Sequence, residues 1–493
     1  MRFTNPVIPG FYPDPSVCRA NGRYYMVHST FQYFPGVALS ESDDLVNWRP
    51  VGSVFTRTEQ LDLTGARASG GVYAPTIRFE DGVFYMVTTN TSVGKNYYVS
   101  TRDIYGEWSD PVYVDQDGID PSLFFEDGRA YFLSNGTDDR GVHGVVQCEI
   151  DIATGKKKSS SVCLWQGTGG RFLESPHMYH IGPWYYLMAA EGGTEYGHMI
   201  TCARAPQLWG PYTSSPMNPV ITNRNKAPFE IQAVGHGDLT QDEQGNWYLF
   251  CLGFRQNNLW EQHHTLGRET FLAPVTITGD GWLKAGLDGT MDGAYDLPGL
   301  KNPQEPQPVY TFQNTLPGRE WLYLRTPGEN RCAFENGRAT LLGSDETLNE
   351  TGSPAFIGIR QRAFDMKAEV TLESAAEEAG LTVYMDETAH YDLCLKEWDG
   401  DMYASLILTV GPIHHEAASV PAGKKAQLRV TASRDGYSFS VLTDRGEEKL
   451  GYMPAKYIST ETAGGFTGVM IGLYAVKGKA AFSDFMMETL SKP

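Results

Sequence analysis

At 493 residues, with 41% hydrophobic and 20% charged residues, the chain is too long for one ordinary core and too apolar for disorder. Its net charge of −19 speaks against a nucleic-acid partner, because such partners are held by Lys and Arg neutralising phosphates. Seven cysteines stand singly with no CxxC pair, which leaves zinc and thioredoxin-like chemistry without support.

Scattered single thiols read as those of a cytoplasmic protein. The opening MRFTNPVIPGFYPDP has no apolar signal-peptide core, although a secreted mature form stays compatible with it, and no later run is long enough to span a bilayer.

Taken from the start, one pattern recurs: a turn glycine followed by aromatic and apolar residues. It reads NGRYYMVHST at 21–30, DGVFYMVTTN at 81–90, DGRAYFLSNG at 127–136, IGPWYYLMAA at 181–190 and QGNWYLFCLG at 244–253. The marker glycines are Gly22, Gly82, Gly128, Gly182 and Gly245. Each marks a turn feeding a β-rich run, and the spacing holds about four short strands per repeat, which is one propeller blade. Residues 1–295 are therefore expected to form a five-bladed β-propeller, the alternative being a β-sandwich in which hairpins recur by chance. Residues 296–308, with prolines at 298, 303, 306 and 308, read as a linker. Beyond it, alternating runs such as AEVTLE, GLTVYMDE, YDLCLKEW and MYASLILTV predict a jelly-roll-like β-sandwich accessory domain over 309–493. The fold class is all-β.

Eight residues before each marker glycine stand Asp14, Ala74, Asp120, Glu174 and Gly237. If the register holds, these positions are equivalent and converge on the central channel, so three acids meet there. Clustered carboxylates repel one another and lose hydration, a cost that implies a role. Glycoside hydrolysis needs such a group: a protonated carboxyl for the leaving oxygen and a carboxylate to activate water. For any one acid alone, an Asp-Pro-Ser turn whose side chain bonds backbone amides is the better explanation, and it is the three in register that tip the balance.

The motifs YPDPS, IDPSLFFEDG, LESPHMYHIGPWYYLMAAEGGTEYGHM, HGDL and LGRET resemble glycoside hydrolase family 43, which contains β-D-xylosidases and α-L-arabinofuranosidases. The likeness extends through NPVIPGFYPDPSVCR and SGGVYAPTIRF into GLTVYMDETAHYDL and GGFTGVMIGLYA, over nearly the whole chain. It implies an exo-acting, inverting enzyme on (arabino)xylo-oligosaccharides, with Asp14 as general base, Glu174 as general acid and Asp120 as modulator of its pKa. Inversion implies that base and acid stand about 6.5–9.5 Å apart. By the same resemblance Phe31 and Tyr73 wall the sugar subsite, Arg268 bonds sugar hydroxyls and His236 lies at the pocket base. Phe466, from the second domain, closes the pocket. The chain departs from the family's usual EGPH at ESPH, and from its frequent Trp at Tyr73.

No cofactor is required by this chemistry, although in some relatives the residue matching His236 helps hold a calcium ion or water. An oligosaccharide is the expected partner, with no membrane, and a homo-oligomer is compatible with the sequence. A fructan or sucrose hydrolase would share the architecture, but its WMNDPNG, RDP and EC signatures read here as GFYPDPS, GIDPS and ES. A non-catalytic carbohydrate-binding propeller would be expected to lack one of the three acids. His263-His264 lacks the spacing of a helical zinc pair and reads as a solvated loop.

Overall fold

The computed structural model describes residues 1–298, 300, 302–328 and 331–490, so positions 299 and 301 of the expected linker, and 491–493, lie outside it. Five four-stranded antiparallel sheets follow one another in the chain. Their first strands are Ser16–Ala20, Thr76–Glu80, Ile119–Glu126, Glu174–Ile181 and Ile231–Gln241. These first strands contact one another in a ring, first to second, on to the fifth and back, which makes them the channel-lining strands of a five-bladed propeller. Apolar clusters fill the gaps between blades, for example Val87, Tyr98, Leu123 and Phe132 between the second and third. Ring closure uses the N-terminal segment: Arg2–Thr4 pairs with Ala294–Asp296, and Ile8 bridges Thr270 on the fifth blade.

The repeat has a stereochemical origin. In blades one to three the first hairpin turns on Asn21-Gly22, Asp81-Gly82 and Asp127-Gly128, with both residues at φ between +48° and +79°. A two-residue turn with two positive φ angles selects Asn or Asp followed by Gly. The fourth blade turns on Gly182-Pro183, where the glycine holds the first turn position. Counting eight residues back from Gly182 is therefore one residue off, and Ser175, not Glu174, is the structural equivalent of Asp14 and Asp120. Their backbones agree: φ is +53° at Asp14, +52° at Asp120 and +58° at Ser175. In the fifth blade Gly237 pairs with Cys251, and a Cβ there would lie 2.7 Å from the Phe250 carbonyl. That position has no room for a side chain, so the fifth blade supplies His236 instead.

Among the described residues, those from 310 onward build a β-sandwich of two packed eight-stranded antiparallel sheets, supplying all but one of the strands. The four runs named from the sequence fall on the strands Met366–Ser374, Glu378–Asp386, Ala389–Trp398 and Asp401–Val410. One sheet borrows a strand from the propeller: Tyr33–Phe34, in the first blade, pairs with Trp321–Leu324. The apolar cluster of the first two blades is continuous with the sandwich core, from Val27 and Phe84 through Trp321 to Leu393. His263 and His264 are buried rather than solvated. His264 stacks on Phe254 at 3.7 Å, and its backbone N–H donates to Glu461 of the sandwich at 2.9 Å.

Candidate active site

Blade one contributes Asp14, just before its innermost strand, and blade three contributes Asp120 on a β-bulge between Ile119 and Ser122. Blade four contributes Glu174, the first residue of its innermost strand, ahead of a second bulge before His177. Left-handed backbone at non-glycine residues costs about 1–2 kcal/mol each. Asp14, Asp120, Ser175 and His236 all adopt it, and such strain concentrates where side chains are aimed at a site.

Asp14 is 4% exposed, and each of its carboxylate oxygens accepts a hydrogen bond. Arg268 Nη1 donates to its Oδ1 at 3.0 Å, and Ser29 Oγ donates to its Oδ2 at 2.5 Å. His236 Nδ1 lies 3.5 Å from Asp14 Oδ1 and 4.0 Å from Asp120 Oδ2. Burial pushes Asp14 towards neutrality, but Arg268, His236 and the Ser29 hydroxyl together hold it below the ordinary aspartate range. The other two acids behave in the opposite way. Burial, and then the charges of Glu174 and Asp14, raise Asp120 well above its usual value. Burial and the charge of Asp14 push Glu174 up to about 7. Three carboxyls in one field thus split into one held ionised and two that resist ionisation, the pattern by which one site supplies both a base and an acid.

Phe31 and Phe466 stack with ring centroids 5.9 Å apart, and Tyr73 meets Phe31 edge-on at 5.6 Å. The Arg268 guanidinium lies 5.6 Å from the Phe31 ring and 5.3 Å from the Phe466 ring. Phe466 is fixed by its backbone N–H, which donates to Ser69 Oγ at 2.8 Å across the domain boundary. All eight residues singled out in the sequence therefore fall in one neighbourhood. Sequence reasoning missed Ser29, and it missed Thr194, whose hydroxyl accepts from Arg268 Nη1 at 2.9 Å. It also missed His198, whose ring packs so closely on Gly235 that a Cβ there would lie 2.3 Å from it. Thr194 and His198 lie in the GGTEYGHM segment, but nothing in their spacing marked them individually.

Beneath the acids the channel is filled by a second polar cluster. Arg78 Nη1 donates to Asp238 Oδ2 at 2.7 Å and Arg78 Nη2 lies 2.8 Å from His177 Nδ1, while Ser16 and Tyr179 donate to the same buried Asp238. Calcium takes six to eight oxygen ligands, waters included, and the protein atoms nearest His236 Nδ1 among the acids are Asp14 Oδ1 and Asp120 Oδ2. Among the described residues no group of three or more His, Cys, Asp or Glu side chains is arranged to hold a metal.

Residues 3–283 match the description Glycosyl hydrolases family 43, and residues 309–487 match Beta xylosidase C-terminal Concanavalin A-like domain. The chain is 40% identical to a non-reducing end alpha-L-arabinofuranosidase of Bacteroides ovatus, over 96% of this chain and 91% of the relative. It is 33% identical to a xylosidase/arabinosidase of Butyrivibrio fibrisolvens, over 96% and 95%. A solved Bacteroides ovatus structure named Xyloglucan PUL GH43B superposes with a TM-score of 0.93 at 38% identity, covering 99% of this chain and 100% of that one.

Proposed function

We propose a specific reaction for this chain, which belongs to glycosyl hydrolase family 43: it removes terminal non-reducing α-L-arabinofuranosyl residues from hemicellulose-derived oligosaccharides with inversion of configuration. The observation that carries this reading is the geometry around Asp14, whose carboxylate accepts from Arg268 and Ser29 within the field of Asp120 and Glu174. Asp14, held ionised by Arg268 and Ser29, takes the proton of the attacking water as general base. Glu174, pushed up to about 7, keeps its proton near neutrality and delivers it to the glycosidic oxygen as that bond breaks. Asp120 sits in the same field, and because Coulomb repulsion is mutual, its presence resists ionisation of Glu174. No cofactor enters the reaction.

Exo action is supported by the closure around the base. Asp14, Asp120, His236 and Arg268 are all under 9% exposed, and the rings of Phe31, Tyr73 and Phe466 close the same end. Such a site takes a chain terminus rather than a chain interior. Release of terminal β-D-xylopyranosyl residues is the second reading, favoured by the Butyrivibrio relative described as both xylosidase and arabinosidase. Both sugars are pentoses, so a few contacts decide between them.

Rates on an aryl α-L-arabinofuranoside and an aryl β-D-xylopyranoside, measured side by side, test the assignment. A faster arabinofuranoside is expected. A dominant xyloside rate would reverse the order of the two readings, and no turnover of either would overturn both.

A further inference from the structure

The segment leading into Glu174 carries an aromatic ring in a costly place. Phe172, two residues before the acid, is 59% exposed and has φ +51°. A single exposed ring is ordinary on a protein surface. Here, however, the backbone is also left-handed, which a bulky side chain adopts only at a penalty, and the exposed ring recovers little burial energy to offset it.

Two clamps hold the ring in position. The Arg171 guanidinium lies over it, 5.0 Å from the centroid, and pairs with Glu195 across the rim. The Gly192 N–H donates to the Arg171 carbonyl at 2.7 Å, and a Cβ on Gly193 would approach Phe172 Cδ2 to 3.1 Å. The next residue, Thr194, accepts from the same Arg268 nitrogen that binds Asp14. Phe172 is thereby tied in both directions to the reacting groups.

The preceding loop is fixed just as firmly. Glu191, fully buried, accepts from the N–H groups of Thr168 at 2.9 Å and Gly170 at 2.7 Å, and from Thr201 Oγ1 at 2.8 Å. A buried carboxylate used to pin a surface loop makes sense if the loop must present a side chain accurately.

A general acid protonates the oxygen that leaves, so the sugar bearing that oxygen lies on the acid's side of the site. We propose that Phe172, backed by Arg171, is the platform on which the pyranose ring of the leaving group stacks its C–H face. The inference rests on Glu174 being the general acid and adds the residue that selects an oligosaccharide as leaving group.

Phe172→Ala and Phe172→Tyr are compared with the wild type on two substrates: an oligosaccharide, and the glycosyl azide of the sugar released, whose leaving group is too small to touch the ring. Phe172→Ala should lower kcat/KM on the oligosaccharide about ten-fold, mainly through KM, while the azide stays within about two-fold. Phe172→Tyr, which keeps the ring, should restore most of the oligosaccharide rate. Equal losses on both substrates, or no loss on the oligosaccharide, would overturn the proposal. A wild type inactive on both would instead sink the glycosidase assignment, and this inference with it.

Discussion

Arg268 and Asp14 form a buried ion pair in which Nη1 donates to Oδ1 at 3.0 Å, while the faces of Phe31 and Phe466 flank the guanidinium. One partner comes from the first blade and the other from the fifth, and the Phe466 ring comes from the second domain. The ionisation of the proposed base is therefore a property of the assembled two-domain protein.

Ser29 is the neutral part of that support. Its hydroxyl donates to Asp14 Oδ2 at 2.5 Å and favours the carboxylate. Ser29→Ala removes a hydrogen bond to the charged form, so the Asp14 pKa should rise. The acidic limb of the kcat/KM profile should move up in pH with the alkaline limb unchanged. An unmoved acidic limb would mean that Asp14 does not set it.

Glu174 should set the alkaline limb. Its folded pKa of about 7 stands above the ordinary 4.5, so activity falls as pH rises through about 7 and the acid loses its proton. The same shift has a stability consequence. Between pH 4.5 and about 7 the folded protein binds more protons at this position than the unfolded chain does, so stability falls as pH rises across that window. Glu174→Gln should be inactive on oligosaccharides yet more stable than the wild type at pH 8, by up to about 3 kcal/mol and hence with a higher Tm, the difference vanishing towards pH 4. Thermal unfolding at the two pH values checks this, and equal melting at pH 8 would contradict it.

Ser175, in ESPH, stands where the family resemblance leads one to expect glycine. With φ +58° it occupies a position that glycine adopts without strain, and its Oγ is buried without a hydrogen-bond partner. Ser175→Gly should raise stability by about 1 kcal/mol, the relief of strain and of a buried hydroxyl exceeding glycine's entropic cost. Denaturant unfolding measures it, and a destabilised variant would show that the serine hydroxyl has a function.

The propeller was legible because its turns are chemically selective: Asn21-Gly22, Asp81-Gly82 and Asp127-Gly128 need positive φ twice over, and the sequence repeats that need. The fourth blade turns differently at Gly182-Pro183, so the register slipped by one there, although the acid it pointed to does face the other two. Ser29 and Thr194 left no pattern, since a lone hydroxyl at a strand end is ordinary. The edge strand Ile413–Pro421 was missed because its residues are almost all exposed and carry no apolar alternation. His264 was misread because its partner, Glu461, lies 197 residues further along the chain.

The stereochemistry of the first turnovers tests the central claim most directly. Proton NMR of the sugar released from an aryl α-L-arabinofuranoside should show the β-anomer first, with the α-anomer appearing only by mutarotation. Initial release of the α-anomer would mean a covalent intermediate and would contradict the assignment of Asp14 as a base acting on water.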